Sequence, residues 1–323
     1  MTSNNNSSNT NSLNQKVDFK KLLKGELGLL LILVALLVFF TIMSPYFLNL
    51  RNLLNVTRQV SVTLIVAVGM TFVILIGEID LSVGSIAALV GVATAFTITI
   101  TGSIAYGILA GIGVGILVGL FNGVLVVFGK VQSFIVTLAM LGIARGTALV
   151  WSDGKPISGL PLSFGELGAG YVGNIPVSSI IAAVIFLIAF YFLRKTKHGI
   201  YTRSIGANKE AAKLSAIPVK KYRIIVFVIS GLMSAIGGIL IASKLLSGSP
   251  TAAEGMELNV IAAVILGGAS LSGGIGTALG TLIGAIVIGV INNGMNLVGL
   301  SSFFQEIVRG IIILIAVLAK RGE

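Results

Sequence analysis

The chain has 323 residues, of which 55% are hydrophobic and only 10% charged, with a mean hydropathy of +1.04 and a formal net charge of +11. Soluble domains carry charge on about a quarter of their residues, so this composition excludes an ordinary soluble domain. Lys and Arg gather at the ends of apolar segments without interleaved aromatics, which excludes nucleic acid as a partner, while zero Cys and a single histidine, His198, exclude thiolate chemistry and a metal or haem centre.

Residues 1–14 form an Asn/Ser/Thr-rich stretch that cannot bury a core, and we expect a disordered cytoplasmic tail over 1–24. Lys16, Lys20, Lys21 and Lys24 then precede an apolar run at 27–43. That run is long and ends in Ser44-Pro45-Tyr46 without an Ala-x-Ala cleavage pattern, so it reads as an uncleaved first helix. Further apolar runs lie at 60–77, 81–100, 104–128, 134–151, 177–193, 224–243, 258–268, 276–294 and 303–319. Their lengths suit helices that cross a bilayer, and they do not alternate as barrel strands would. The prediction is an all-α polytopic membrane protein of about ten transmembrane helices, with a single transmembrane domain over 25–320 and a cytoplasmic end at 321–323. The run 258–268 is too short to span alone and must borrow preceding residues or form a broken or re-entrant piece.

The one long polar interruption, 194–223, holds nine Lys and Arg residues. Cytoplasmic loops carry the Lys/Arg excess, so this segment belongs inside, and with ten spans sixteen basic residues fall on that side against four outside, Arg51, Arg58, Lys155 and Lys244. Within it, Asn208 is placed to cap a helix over 209–216, which Pro218 stops. Ala211, Leu214 and Ser215 share its small apolar face. So short a helix is not stable alone and needs a surface to pack on, its own membrane domain or a partner's groove.

Glycines recur every fourth residue at Gly107, Gly111, Gly115, Gly119 and Gly123, and again at Gly276, Gly280 and Gly284. This spacing lets helix backbones approach closely in lipid, so these helices should be central. Two glycine-bounded breaks, 75–84 and 265–274, share an apolar-apolar-Gly then Leu-Ser-x-Gly pattern that hints at duplicated halves with matching interruptions, a transporter habit.

Asp80 and Ser82 lie in the first break, where Asp80 can cap the following helix and line a solute path at once. The uncharged polar residues inside spans are Asn122, Thr137, Asn292, Asn293, Asn296 and Gln305. Amides and hydroxyls suit a neutral, hydroxyl-rich solute and equally suit bonding helix to helix. Glu306 and Arg309 are spaced for an intrahelical pair. No acid–histidine relay and no nucleotide-binding loop is present, so energy for any pumping comes from elsewhere.

Six segments carry a resemblance: SPYFLNLRNLLN at 44–55, AVGMTFVILIGEIDLSVGS at 67–85, VQSFIVTLAMLGIARG at 131–146, IGANKEAAKLSAIPV at 205–219, ELNVIAAVILGGASLSGG at 257–274 and GTLIGAIVIGVINNGMNLVGLSSFFQ at 280–305. In this order they resemble the membrane permease subunits of bacterial ABC sugar importers, from about Leu27 to the C-terminus. The resemblance implies the ABC importer permease fold in the bacterial plasma membrane, a homodimer or pseudo-dimer of permeases, ATP bound by a separate cytoplasmic ATPase subunit, and an extracytoplasmic sugar-binding protein. It implies import of a pentose, ribose in the first place, with another sugar, a sugar-like signal or a nucleoside as alternatives, and no chemistry by this chain. By resemblance the ATPase-coupling role falls on Gly206, Asn208, Glu210, Ala211, Ala212, Leu214, Ser215 and Ile217. Ala207 and Ala216 stand where the family commonly has Gly, and Asn259 where it has Asp. A secondary transporter, the competing reading, would need no docking helix and would show a relay.

The charge asymmetry makes a topological prediction. Because the chain has no Cys, a Cys placed at Lys197 can be labelled selectively. It should resist an impermeant maleimide in intact cells and react once the membrane is opened; labelling from outside would overturn the orientation.

Overall fold

The computed structural model describes residues 26–320; the expected tail over 1–24, with its four lysines, and the end at 321–323 lie outside the described residues. The helices are α1 (Glu26–Met43), α2 (Leu50–Leu75), α3 (Val83–Thr101), α4 (Ile104–Phe128), α5 (Ser133–Trp151), α6 (Leu162–Ala169), α7 (Val177–Lys195), α8 (Lys197–Ala207), α9 (Lys209–Leu214), α10 (Val219–Leu245), α11 (Met256–Leu266), α12 (Ala278–Leu297) and α13 (Ser302–Lys320). A two-residue antiparallel hairpin, β1 (Tyr171–Val172) with β2 (Ile175–Pro176), pairs Tyr171 with Pro176 between α6 and α7. Neither α6, nor the hairpin, nor α8 stands out in the sequence, because each is held by contacts with the long helices rather than by its own periodicity.

Among the described residues, seven helices are long and apolar enough to cross a membrane: α2, α3, α4, α5, α7, α10 and α12. Two further apolar helices are shorter, 28–43 within α1 and the whole of α11. Two boundaries differ from expectation. Helix α2 begins at Leu50 rather than near residue 60, because Asn49 caps it, accepting from Arg51 N at 3.0 Å, and Asn52 in its first turn donates to Phe47 O at 2.9 Å. Helix α10 begins at Val219 and includes Lys220, Lys221 and Arg223, because Arg223 finds an acid and Lys220 lies over the Phe128 ring.

The glycine seam sits at the centre. Gly107 and Gly111 of α4 face Ile98 and Thr94 of α3, while Gly115, Gly119 and Gly123 face Gly231, Phe227 and Ile224 of α10. A Cβ at Gly119 would stand 2.4 Å from Phe227 O, so the two backbones are in direct contact. Gly280 and Gly284 of α12 repeat the device against Gly267 O and Ala263 O at the end of α11, whereas Gly276 precedes the helix.

Helix α11 is too short to cross a bilayer by itself. At about 1.5 Å per residue its eleven residues cover about 16 Å, half the hydrocarbon thickness. The non-helical stretch 246–255 before it packs along α3: Gly248 presses on Gly91 O and Ala95 in the middle of α3, and Ala253 O lies against Gly84 in its first turn. Residues 246–255 thus run as turns alongside α3 and lead into α11.

The packing predicts an asymmetry between glycines of one helix. Gly119→Ala should lower the thermal stability of the detergent-solubilised protein by the equivalent of about 1–3 kcal/mol through overpacking, whereas Gly113→Ala, with nothing within 4 Å of the new methyl, should leave it unchanged. Fluorescence-detected size-exclusion after heating reads both.

Candidate transport site

The first break begins where Gly77, at φ +76°, turns the chain out of α2. Glu78 Oε1 accepts from Arg223 Nε at 2.9 Å and Nη2 at 2.5 Å, and Lys209 Nζ of α9 lies 3.5 Å away. A half-buried guanidinium and a buried carboxylate thus neutralise each other where α9 meets the bundle. This end opens on a cavity of about 540 Å³ lined by Glu78, Lys130, Gln132, Ser133, Lys209 and Arg223, among others.

Two residues on, Asp80 is fully buried. Its Oδ1 accepts from Ser82 N at 3.0 Å and Ser82 Oγ at 2.5 Å, and its Oδ2 from Ser230 Oγ of α10 at 2.8 Å. Asn122 Nδ2 of α4 donates to Ser82 Oγ at 3.0 Å. Thr137 Oγ1 of α5 donates to Ser133 O at 2.8 Å and lies 3.3 Å from Ile79 O, while Ser133 Oγ accepts from Ile79 N at 3.2 Å. Four expected site residues, Asp80, Ser82, Asn122 and Thr137, are therefore brought together around one break, which they hold to three helices, α10, α4 and α5. The helix after the break starts at Val83, so Asp80 caps the turn before it rather than the helix itself.

The other four lie elsewhere. Asn293 and Asn52 exchange amide hydrogen bonds of 2.9 Å, tying α12 to α2. Gln305 Nε2 of α13 donates to Asn296 Oδ1 at 2.8 Å and Leu300 O at 3.1 Å. Asn292 is half-buried with its Oδ1 lacking a hydrogen-bond partner. Asn292, Asn293 and Asn296 occupy the last two turns of α12, about 20 Å along the helix from its start near the second break, and Gln305 joins them from α13. The eight residues thus form two separate groups. The Arg309 side chain, and with it the expected pair with Glu306, lies outside the described residues.

The two similar breaks meet. Gly274 N of the second donates to Leu75 O of the first at 2.9 Å, and Gly273 and Gly274 both take positive φ. Gly206, in the last turn of α8, sits on both: a Cβ there would fall 1.9 Å from Leu75 O and 2.4 Å from Gly274 N. Only glycine fits that position without displacing backbone.

Beyond Gly206, Asn208 Oδ1 accepts from Glu210 N at 3.1 Å and Ala211 N at 3.0 Å, the expected cap of α9. Glu210 pairs with Lys213 at 2.6 Å. Ala212 is buried against the bundle, whereas Ala211 and Ser215 are exposed and Leu214 is 90% exposed. Ala216 closes the helix at φ +58° and Ile217 N returns to Ala212 O at 3.1 Å. That left-handed residue gives a physical reason for the glycine common here in the resembling family.

Arg145 was given no role in the sequence reading. Its Nη1 donates to Pro250 O at 2.6 Å and Ala252 O at 2.9 Å, satisfying two carbonyls of the non-helical stretch. A lone Arg in the middle of the apolar run of α5 was the available signal.

A bundle of apolar helices with two abutting breaks, buried polar fastenings and an exposed helix on a polar loop defines a multi-pass helical membrane protein. Residues 52–317 match the family described as branched-chain amino acid transport system / permease component. The chain belongs to this permease family. It is 47% identical to the ribose import permease protein of Bacillus subtilis, covering 92% of this chain and 93% of the relative. It is 44% identical to the ribose import permease protein of Haemophilus influenzae, covering 89% and 90%. With the L-arabinose transport system permease protein of Escherichia coli it shares 41% identity over 92% of this chain and 90% of that one. No solved structure gives a significant match.

The Asp80 network predicts a structural defect. Asp80→Ala strands the hydroxyl of Ser230 and the donors of Ser82 in the bundle, at about 1–3 kcal/mol for each buried donor left unmade. Unfolding of the purified protein in mixed micelles should shift by several kcal/mol, while Thr147→Ala, which removes only an exposed bond to Ile143 O, should not shift it.

Proposed function

We propose that this chain is the membrane-spanning permease subunit of an ATP-binding-cassette importer, and that its cargo is ribose. The observation that carries the cargo is the identity of 42–47% with ribose import permeases over nine-tenths of the chain. In this reading the chain crosses the membrane ten times: the seven long helices, α1, α13, and the joined crossing of 246–255 with α11. An even number puts both termini on one side, and the Lys/Arg distribution assigns that side to the cytoplasm of a bacterial inner membrane.

The cytoplasmic ATPase then meets α9. An almost fully exposed leucine on a six-residue helix is unfavourable in water and favourable in an apolar groove, which supports α9 as the docking element. Gly206, Asn208, Ala212 and Ile217 set its position against the two breaks, while Ala211, Leu214 and Ser215 face outward. Movement of α9 is thereby delivered to the abutting breaks, and through Glu78–Lys209 and Glu78–Arg223 to the start of α10. A second permease copy completes the pathway, an extracytoplasmic binding protein delivers the sugar, and ATP binds only to the partner subunit.

Leu214→Asp places a charge in the apolar contact, at several kcal/mol if the contact forms. The variant should fold and insert normally, lose co-purification of the ATPase, and lose ribose uptake, which in vesicles of the unaltered transporter should require ATP and survive collapse of the ion gradient. ATP-independent uptake would overturn the importer reading, and normal co-purification of the variant would overturn the docking role of α9.

A further inference from the structure

The non-helical half-crossing carries charge at membrane depth, and no sequence motif assigned it a role. Its carbonyls at Pro250 and Ala252 are held by Arg145, the thirteenth of nineteen residues of α5 and about 18 Å from that helix's start. Glu254 and Glu257 lie close enough to Arg145 to act on its charge. Glu257 packs on Gly84, in the first turn of α3, and the helix it opens runs about 16 Å before reaching the breaks. The group is thus near the middle of the bundle.

Thr251, Glu254 and Leu258 are nonetheless exposed, and Arg145 and Glu257 are half-buried. Thr251 and Glu254 lie in the turns that lead into α11 and Leu258 in its first turn, so the three exposed side chains follow one another along the outward face of this short stretch. Lipid cannot cover that face, because an acid in hydrocarbon costs several kcal/mol and non-helical backbone at this depth is tolerated only when buried in protein or facing water. Resting on the permease reading above, we propose that Thr251, Glu254 and Leu258, with Arg145 fixing the backbone behind them, form the mid-depth wall of the water-filled solute path. A carboxylate and a hydroxyl beside a leucine offer a neutral polyol acceptors and a donor for its hydroxyls and an apolar rest for its C–H face. Seven of the eight polar residues singled out in the sequence fasten segments of the bundle, whereas this face is free to meet cargo.

The test uses the assembled transporter in membrane vesicles and the chain's lack of native cysteine. Thr251→Cys, Glu254→Cys and Leu258→Cys should react with a water-soluble methanethiosulfonate at least tenfold faster than Leu187→Cys, an exposed apolar position in the middle of α7. Millimolar ribose with its binding protein and ATP should slow labelling severalfold. Glu254→Gln should raise the KM of uptake severalfold with little change in the ATPase rate. Labelling no faster than at Leu187→Cys would overturn the water-filled wall; fast labelling with no protection and an unchanged KM would overturn the solute contact. Uptake of a different sugar by the unaltered transporter would refute the ribose assignment alone, and protection is then measured with that sugar.

Discussion

A backbone carbonyl or amide without a partner inside a bilayer costs several kcal/mol, and every irregular feature of this bundle is built around avoiding that cost. Where α2 ends, Leu75 O accepts from Gly274 of the other break. Where the chain turns before α11, Arg145 takes two carbonyls at once. Where the first break would leave Ile79 and Ser82 amides open, Ser133 and Asp80 accept from them. The irregular stretches are therefore held by hydrogen bonds to α5, to α10 and to one another, and the breaks lie where the helices converge.

Such close convergence needs surfaces without side chains. The seam of α4 on α3 and α10, and that of α12 on the end of α11, replace side-chain packing with backbone contact, which gains dispersion and leaves little free volume. Gly206 extends this logic outside the spans: the polar loop touches the breaks through a position where no other residue fits. A rigid contact of this kind transmits displacement, because backbone pressed on backbone cannot absorb it by changing rotamers.

Charge follows the same division. Glu78 is matched by Arg223 and Lys209 at the polar end, and Asp80 by hydroxyls and an amide, so both acids are compensated within the fold. Glu254 is exposed near the middle of the bundle, and it is the exception from which the path wall was inferred.

Much of this was legible in the sequence. Apolar length fixed the helical membrane class, glycine periodicity identified the central helices, Asn208 and Pro218 bounded α9, and the shortness of 258–268 signalled a helix too short to cross alone, because each depends on local spacing and local chemistry. What the sequence could not decide is which polar side chains meet. Asp80, Ser82, Asn122 and Thr137 converge while Asn292, Asn293, Asn296 and Gln305 stand at the far end of α12, although all eight look alike as amides, hydroxyls and a carboxylate within apolar runs. The outward face of Leu214, the inward face of Ala212 and the work of Arg145 were equally undetermined. Spacing along one helix sets which residues share a face, but only the packing of distant segments determines whether that face meets protein, lipid or water.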